Sequence, residues 1–245
     1  MNVHCKYLFA DQFWLRQEAV AVAFLEEELY LLVQSSPTLD VYDAVSFISR
    51  KPYTGRLSLK SRGSITIPGL AQSKFVADIT ACSFYHCLYI ADAENTSIIR
   101  LEMPSKHEIW PVEDINTDSV ISVTSSHHLL VLCGKSNKLK LFGTDGVLHS
   151  TIALEPAHVT CALEFTMPGQ YLVTHGRDSP LHRVCIVNSE DRILRAYGGF
   201  KGSYMLNNPS GVAVDKDGFV YVDEANNRLV VLTSTLEFIQ SLPSV

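Results

Sequence analysis

"VYVDEANNRL", residues 220–229, follows directly on the turn Asp215-Lys216-Asp217-Gly218. A half-apolar run stops abruptly at Asp223, two asparagines and an arginine intervene, and a second apolar run starts at Leu229. The pattern reads as a strand, a polar corner and a second strand, with Gly218 supplying the positive φ that a tight hairpin turn ahead of them needs. One hairpin is not stable alone in water. The rest of the chain has to supply sheets that cover it.

Composition allows this. The chain has 245 residues, 47% of them hydrophobic, which is enough to bury a substantial core in one large all-β domain or in two smaller ones. A charged fraction of 19% and a formal net charge of −6 describe a mildly acidic surface, which repels phosphates and lipid head groups unless basic residues gather locally. The longest basic run is the pair Arg50-Lys51. No stretch of about 18 apolar residues could span a bilayer, and the opening "MNVHCKYLFADQF" lacks the apolar core of a signal peptide. The six cysteines, Cys5, Cys82, Cys87, Cys133, Cys161 and Cys185, form no C-x-x-C pair and mostly sit inside apolar runs, so they read as small buried hydrophobes. A reducing, cytoplasmic setting is expected.

Short runs rich in β-branched and aromatic residues, bounded by turn formers, recur along the whole chain. Strands are expected at residues 20–24, 29–33, 39–45, 64–67, 87–91 and 98–101, then at 120–123, 129–133, 139–142, 147–152, 160–165, 171–174, 183–187 and 193–197. A last group covers 211–214, 220–222, 229–232 and 238–242. Turns every eight to twelve residues admit a sandwich, a barrel or a propeller. The best-marked second strands, "LYI" at Leu88, "LVL" at Leu130, "YLV" at Tyr171 and "VYV" at Val220, recur at intervals of 42, 41 and 49 residues. Each is followed by a third strand and by a fourth: "HEIWPV", "GVLHSTIAL", "DRILRAYGG" and "LEFIQSL". Four strands per period in the forties is the spacing of a propeller blade.

The expected fold is therefore an all-β propeller of four-stranded antiparallel blades, about five of them recognisable, in a five- or six-bladed and incomplete or complete ring. One domain spans 1–245, with blades near 17–70, 72–112, 117–154, 157–198 and 207–245, and residues 1–16 available to complete a blade. The first blade carries an inserted connection, "SRKPYTGRLSLKSR" (residues 49–62), whose basic and turn-forming residues suit an exposed loop. "YGGFKGS" (residues 197–203) reads as a glycine-rich link between blades.

Residues 208–242 resemble an NHL repeat, with Pro209-x-Gly211 before the first strand, Asp215-x-Asp217-Gly218 in the hairpin and Asp223-x-x-Asn226-Asn227-Arg228 before the third strand. The unit "HCLYIADAENTSIIRLEMPSKHEIWPV" repeats the spacing, so that Asp92 matches Asp223 and Asn95 matches Asn226. Ser97 stands where the arginine would be, and the two central units lack the Asp, Asn and Arg set. Over residues 72–245 the chain is similar to the NHL propellers at the carboxy end of tripartite-motif proteins. That resemblance implies recognition of a protein or RNA partner, within a system whose ubiquitin transfer is carried by a RING domain. The chain shows no RING cysteine-histidine pattern.

The polar corner itself reads as a structural fastening, because short polar side chains hydrogen-bond a turning backbone and tolerate left-handed dihedrals. Arg228 is expected to meet Asp223 or a carboxylate of an adjacent blade. His127 and His128, adjacent on one strand, point opposite ways and read as a solvated turn. Glu26-Glu27-Glu28 reads as a solvated hairpin tip. A metal-dependent hydrolase or lyase would need converging ligands, and His86, His107, His158, His175 and His182 are scattered over the blades. Neither Ser83 nor Ser210 sits in a G-x-S-x-G elbow, and no phosphate loop occurs. The sequence thus reads as a non-catalytic interaction scaffold with no catalytic, metal or cofactor residue, a protein partner, no membrane association, and a monomeric state if the ring closes. The alternatives are RNA binding, which net charge disfavours, and a metal-dependent propeller hydrolase or lyase.

Overall fold

The structure is a computed structural model that describes residues 19–44, 60–70, 73–103, 106–176, 179–200 and 205–243. Twenty strands and one short 3-10 turn, Pro68–Leu70, make up its regular structure among the described residues. It is all-β: five blades of four antiparallel strands in a propeller arrangement, each a simple meander in chain order.

The first blade is β1 (Ala19–Leu25), β2 (Glu28–Val33), β3 (Thr38–Asp43) and β4 (Ser61–Thr66). The second is β5 (Val76–Cys82), β6 (Cys87–Asp92), β7 (Ser97–Glu102) and β8 (Lys106–Pro111). The third is β9 (Val120–Val123), β10 (Leu129–Cys133), β11 (Lys138–Phe142) and β12 (Leu148–Ala153). The fourth is β13 (Val159–Glu164), β14 (Gln170–His175), β15 (Leu181–Asn188) and β16 (Ile193–Phe200). The fifth is β17 (Gly211–Val214), β18 (Val220–Glu224), β19 (Arg228–Leu232) and β20 (Phe238–Pro243). The second strands fall where the repeat places them.

The chain divides into two compact units at Ser119 and Val120, with two blades in one and three in the other. In the two-blade unit β1 lies beside β5. Their blades share a core of residues such as Leu25, Tyr30, Leu32, Leu39, Ile79, Leu88, Ile90 and Ile99. In the three-blade unit β13 lies between β9 and β17, over a core that includes Leu130, Leu132, Leu163, Leu172, Val184, Val222 and Val230. Where one blade lies against another within a unit, the facing side of its twisted sheet is apolar because the neighbour covers it. The fourth strands are the exposed ones: β12 is exposed at all but one position and β20 at every position, whereas second strands such as β10 are buried throughout.

Three features differ from expectation. Strand β5 was absent from the pattern of apolar runs, because the buried Asp78 interrupts "VADITAC". A register shift between Val76 and Asp78 removes the strict alternation as well. Strand β4 begins at Ser61, so Ser61 and Arg62 belong to the sheet and not to an exposed loop. Residues 49–59 of that stretch lie outside the described residues, as do residues 1–16. Finally, "YGGF" is not a link: Tyr197 to Phe200 are the last four residues of β16, paired along β15. Gly198, with φ of 96°, lies opposite Arg183, and a Cβ there would sit 2.4 Å from the His182 carbonyl oxygen. Only glycine lets the two backbones approach so closely.

Candidate functional site

The polar corners lie where the second strand of a blade turns into the third. In blade two the ladder ends on the pair Asp92–Ser97. Asp92 is buried, and its Oδ1 accepts from the Ser73 hydroxyl at 2.8 Å and from the N–H groups of Glu94 and Asn95 at 3.1 Å each. Its Oδ2 accepts from Asn95 Nδ2 at 2.8 Å. The N–H groups of Ala93 and Glu94 donate in turn to the Phe75 carbonyl. The corner therefore clips down the segment that enters its own blade.

Blade five performs the same task with a different carboxylate. Asp223 pairs with Leu229, and the ladder runs one pair further, to Glu224–Arg228. Arg228 Nε accordingly donates to Glu224, whose side chain is fully buried, and not to Asp223. Glu224 also accepts from Asn207 N–H at 2.5 Å, while Arg228 Nη2 donates to the Met205 carbonyl at 3.1 Å. Asn226 accepts from Asn207 Nδ2 at 2.9 Å, and Asn227 holds φ of 53°. Asp223 accepts from the Ser210 hydroxyl at 3.2 Å, and burial pushes its carboxyl above the usual range despite that bond and the neighbouring Glu224 N–H. Gly211 faces it across the ladder. The Pro209 carbonyl accepts from Thr160 Oγ1 at 2.8 Å, tying blade five to blade four. Glu224 carried no sequence signal of its own, since the resemblance placed weight on Asp223.

The hairpin at Asp215 is a carboxylate-braced turn. Its Oδ1 accepts from the N–H groups of Asp217 and Phe219, both at 2.9 Å, and its Oδ2 from the Tyr221 hydroxyl at 3.0 Å. Burial alone would raise the Asp215 carboxyl, but these donors outweigh it and hold it below the ordinary value. Gly218 takes φ of 85°. Lys216 lies against Asp217 at 2.9 Å.

The other polar candidates have local partners. His86, at φ of 49° in the β5–β6 turn, lies 3.1 Å from Glu26 at the β1–β2 tip. Glu28 is not part of that tip: it belongs to β2, accepts from Tyr30 at 2.5 Å and pairs with Arg62 at 3.1 Å. His127 and His128 form the β9–β10 turn, where His128 Nδ1 meets Ser126 at 3.0 Å and its ring stands edge-on to His149. His182 Nδ1 accepts from Asn208 N–H at 3.1 Å. His107 lies on the exposed part of β8, and the His158 carbonyl accepts from Gly176 N–H. Among the described residues no three His, Cys, Asp or Glu side chains gather as a metal cluster. Five of the cysteines are buried and none of the five forms a disulfide.

Two surfaces remain. At the paired tips of blades one and two, Phe84 is 68% exposed, with Phe24 and Tyr85 also exposed and Phe84 edge-on to Tyr85 at 4.9 Å. Elsewhere, a depression of about 340 Å³ is lined by Leu154, Glu155, His175, Arg183, Cys185, Val187, Asp191 and Ile193. His175 ends β14 opposite Arg183, so the two share a face of blade four. Burial foremost, with Arg183 adding to it, lowers the imidazole pKa to about 4, and burial raises the Cys185 thiol to about 11. Both groups are neutral near pH 7, with Cys185 Sγ 3.9 Å from His175 Nδ1.

No protein-family profile and no curated protein matches the sequence. Solved structures do resemble the fold. A virginiamycin B lyase from Staphylococcus aureus superimposes with a TM-score of 0.67 at 10% identity, over 99% of this chain and 72% of that one. A streptogramin B lyase gives 0.66 at 11% identity, again over 99% and 72%. A protein of unknown function from Bacteroides caccae gives 0.63 at 14% identity, over 94% and 84%. The likeness is one of fold: a β-propeller.

Proposed function

We propose that this chain is a non-catalytic protein-interaction scaffold, a propeller whose hairpin tips dock a protein partner. The observation that carries the reading is the aromatic cluster of Phe24, Phe84 and Tyr85, exposed on two hairpins that His86 and Glu26 tie together. Exposed aromatics on a rigid base contribute large contact area at little ordering cost, which is why they anchor interfaces. The NHL-like repeat of residues 208–242 supports the finer form of the reading, a monomeric, cytoplasmic recognition module serving a ubiquitin-ligase system. RNA binding is its alternative, set against the net charge of −6.

The test is affinity capture with the wild-type chain beside a Phe84→Ser, Tyr85→Ser double variant whose circular dichroism matches the parent. The reading expects a defined captured protein to lose about tenfold or more in affinity for the variant. Equal capture by both would remove the tips from recognition. Capture abolished by ribonuclease would favour RNA.

A second reading, lyase chemistry, draws on the likeness to the virginiamycin B and streptogramin B lyases. Its metal-dependent form lacks a ligand cluster among the described residues. Turnover of virginiamycin B by the purified chain, followed by mass spectrometry with and without added divalent cation, is its direct assay.

A further inference from the structure

Two residues that line the depression on blade four carry buried donors without a hydrogen-bond partner. Arg183 donates through Nη2 to Glu155, yet its Nε is buried without a hydrogen-bond partner, and so is His175 Nε2. His175 is 2% exposed. If Nδ1 accepts from the Cys185 thiol, Nε2 bears the proton and is a second donor. Buried donors are nearly always satisfied in folded proteins, so two residues of one cavity lining that each keep an unmatched donor point to an acceptor that comes from outside. The cavity, at about 340 Å³, is the size of a small-molecule site.

The rest of the lining narrows the chemistry. Leu154, Val187 and Ile193 form an apolar wall, and Glu155 and Asp191 add two carboxylates to the single guanidinium. A simple anion would be repelled by that pair, and a simple amine would meet Arg183. A molecule carrying both charges and a short hydrocarbon chain matches this lining: its carboxylate toward the Arg183 and His175 donors, its ammonium near Glu155 and Asp191, its chain against the apolar wall.

We propose that the cavity between the Leu154-Glu155 segment and the outer strands of blade four binds a small aliphatic amino acid, recognised as a zwitterion. The site is independent of the hairpin tips and of the partner-docking reading.

The experiment is isothermal titration calorimetry of the full chain with L-leucine, and in parallel with leucinamide, which lacks the carboxylate, and 4-methylpentanoate, which lacks the ammonium. Saturable one-to-one binding of leucine is expected, with each analogue weaker by about tenfold or more. Arg183→Met should weaken leucine by a similar factor. Because Arg183 is largely buried and its loss could disturb folding, Ile193→Trp provides a second variant: Ile193 is 43% exposed, and the indole would fill the cavity without altering its charges. Binding lost in Ile193→Trp with an unchanged unfolding midpoint supports the site. Leucine that fails to bind, that binds no better than either analogue, or that binds Ile193→Trp unchanged overturns it.

Discussion

The corner of blade two and the corner of blade five share the spacing Asp-x-x-Asn, yet different residues hold them. In blade two the ladder ends at Asp92, which gathers the turn and the incoming segment through four hydrogen bonds. In blade five one further pair forms, so Asp223 falls inside the ladder and Glu224 inherits the terminal position, with Arg228 opposite. Successive residues of a strand face opposite ways, so a slip of one pair changes which carboxylate reaches the fastening. The corner is defined by where the ladder ends, and only indirectly by the motif.

The comparison breaks most sharply at Glu224. Glu224→Leu leaves Arg228 and the Asn207 N–H without their acceptor and should cost about 3 kcal/mol, read from urea unfolding. Asp223→Ala, at the position the repeat would rank first, should cost about 1 kcal/mol or less. Equal losses would mean that ladder length does not decide.

The same terminal position in blade four holds His175, which responds to pH in its own way. Its folded pKa lies near 4 and its ordinary value at 6.5. Above pH 6.5 both states are neutral and stability is full. Between 6.5 and 4 the unfolded chain takes up a proton that the native chain refuses, so stability falls as pH falls, by on the order of 3 kcal/mol, and is flat below. Unfolding midpoints across pH 4–7 should show this slope in the parent and lose it in His175→Leu.

Asp92→Ala should cost about 2 kcal/mol, because the buried Ser73 hydroxyl and two turn N–H groups lose their acceptor. A still smaller contrast sits at the residue before the third strand, which is Thr96 at φ of 47° in blade two and Asn227 at 53° in blade five. A β-branched residue is strained there and asparagine is not. Thr96→Asn should therefore stabilise by about 1 kcal/mol and Asn227→Thr destabilise by as much, measured as opposite shifts in melting temperature.

Strand order and blade interval were legible because apolar pairs such as Val220 and Val222 or Leu130 and Leu132 repeat with turn residues at fixed offsets. Strand β5 was not, since a buried aspartate in an inner strand looks like a turn former until its neighbours are known. "YGGF" misled for a related reason: two glycines signal a loop locally, whereas here they permit a close backbone approach. The exchange of Asp223 for Glu224 depends on ladder length, which no short window contains. The cavity joins residues 175, 183–187 and 191–193, brought together by sheet register in blade four, to Leu154 and Glu155 in the segment after β12.

The exposure of the fourth strands has a kinetic counterpart. The fourth strands, exposed along most of β4, β12 and β20, are each held by a ladder on one side and little else. Strands such as β10 lie between two ladders and are buried throughout. Amide protons should thus exchange with deuterium fastest at the rim of every blade and slowest on its second strand. Each blade is expected to open from its fourth strand, which can fray while the strands that carry the corners stay closed.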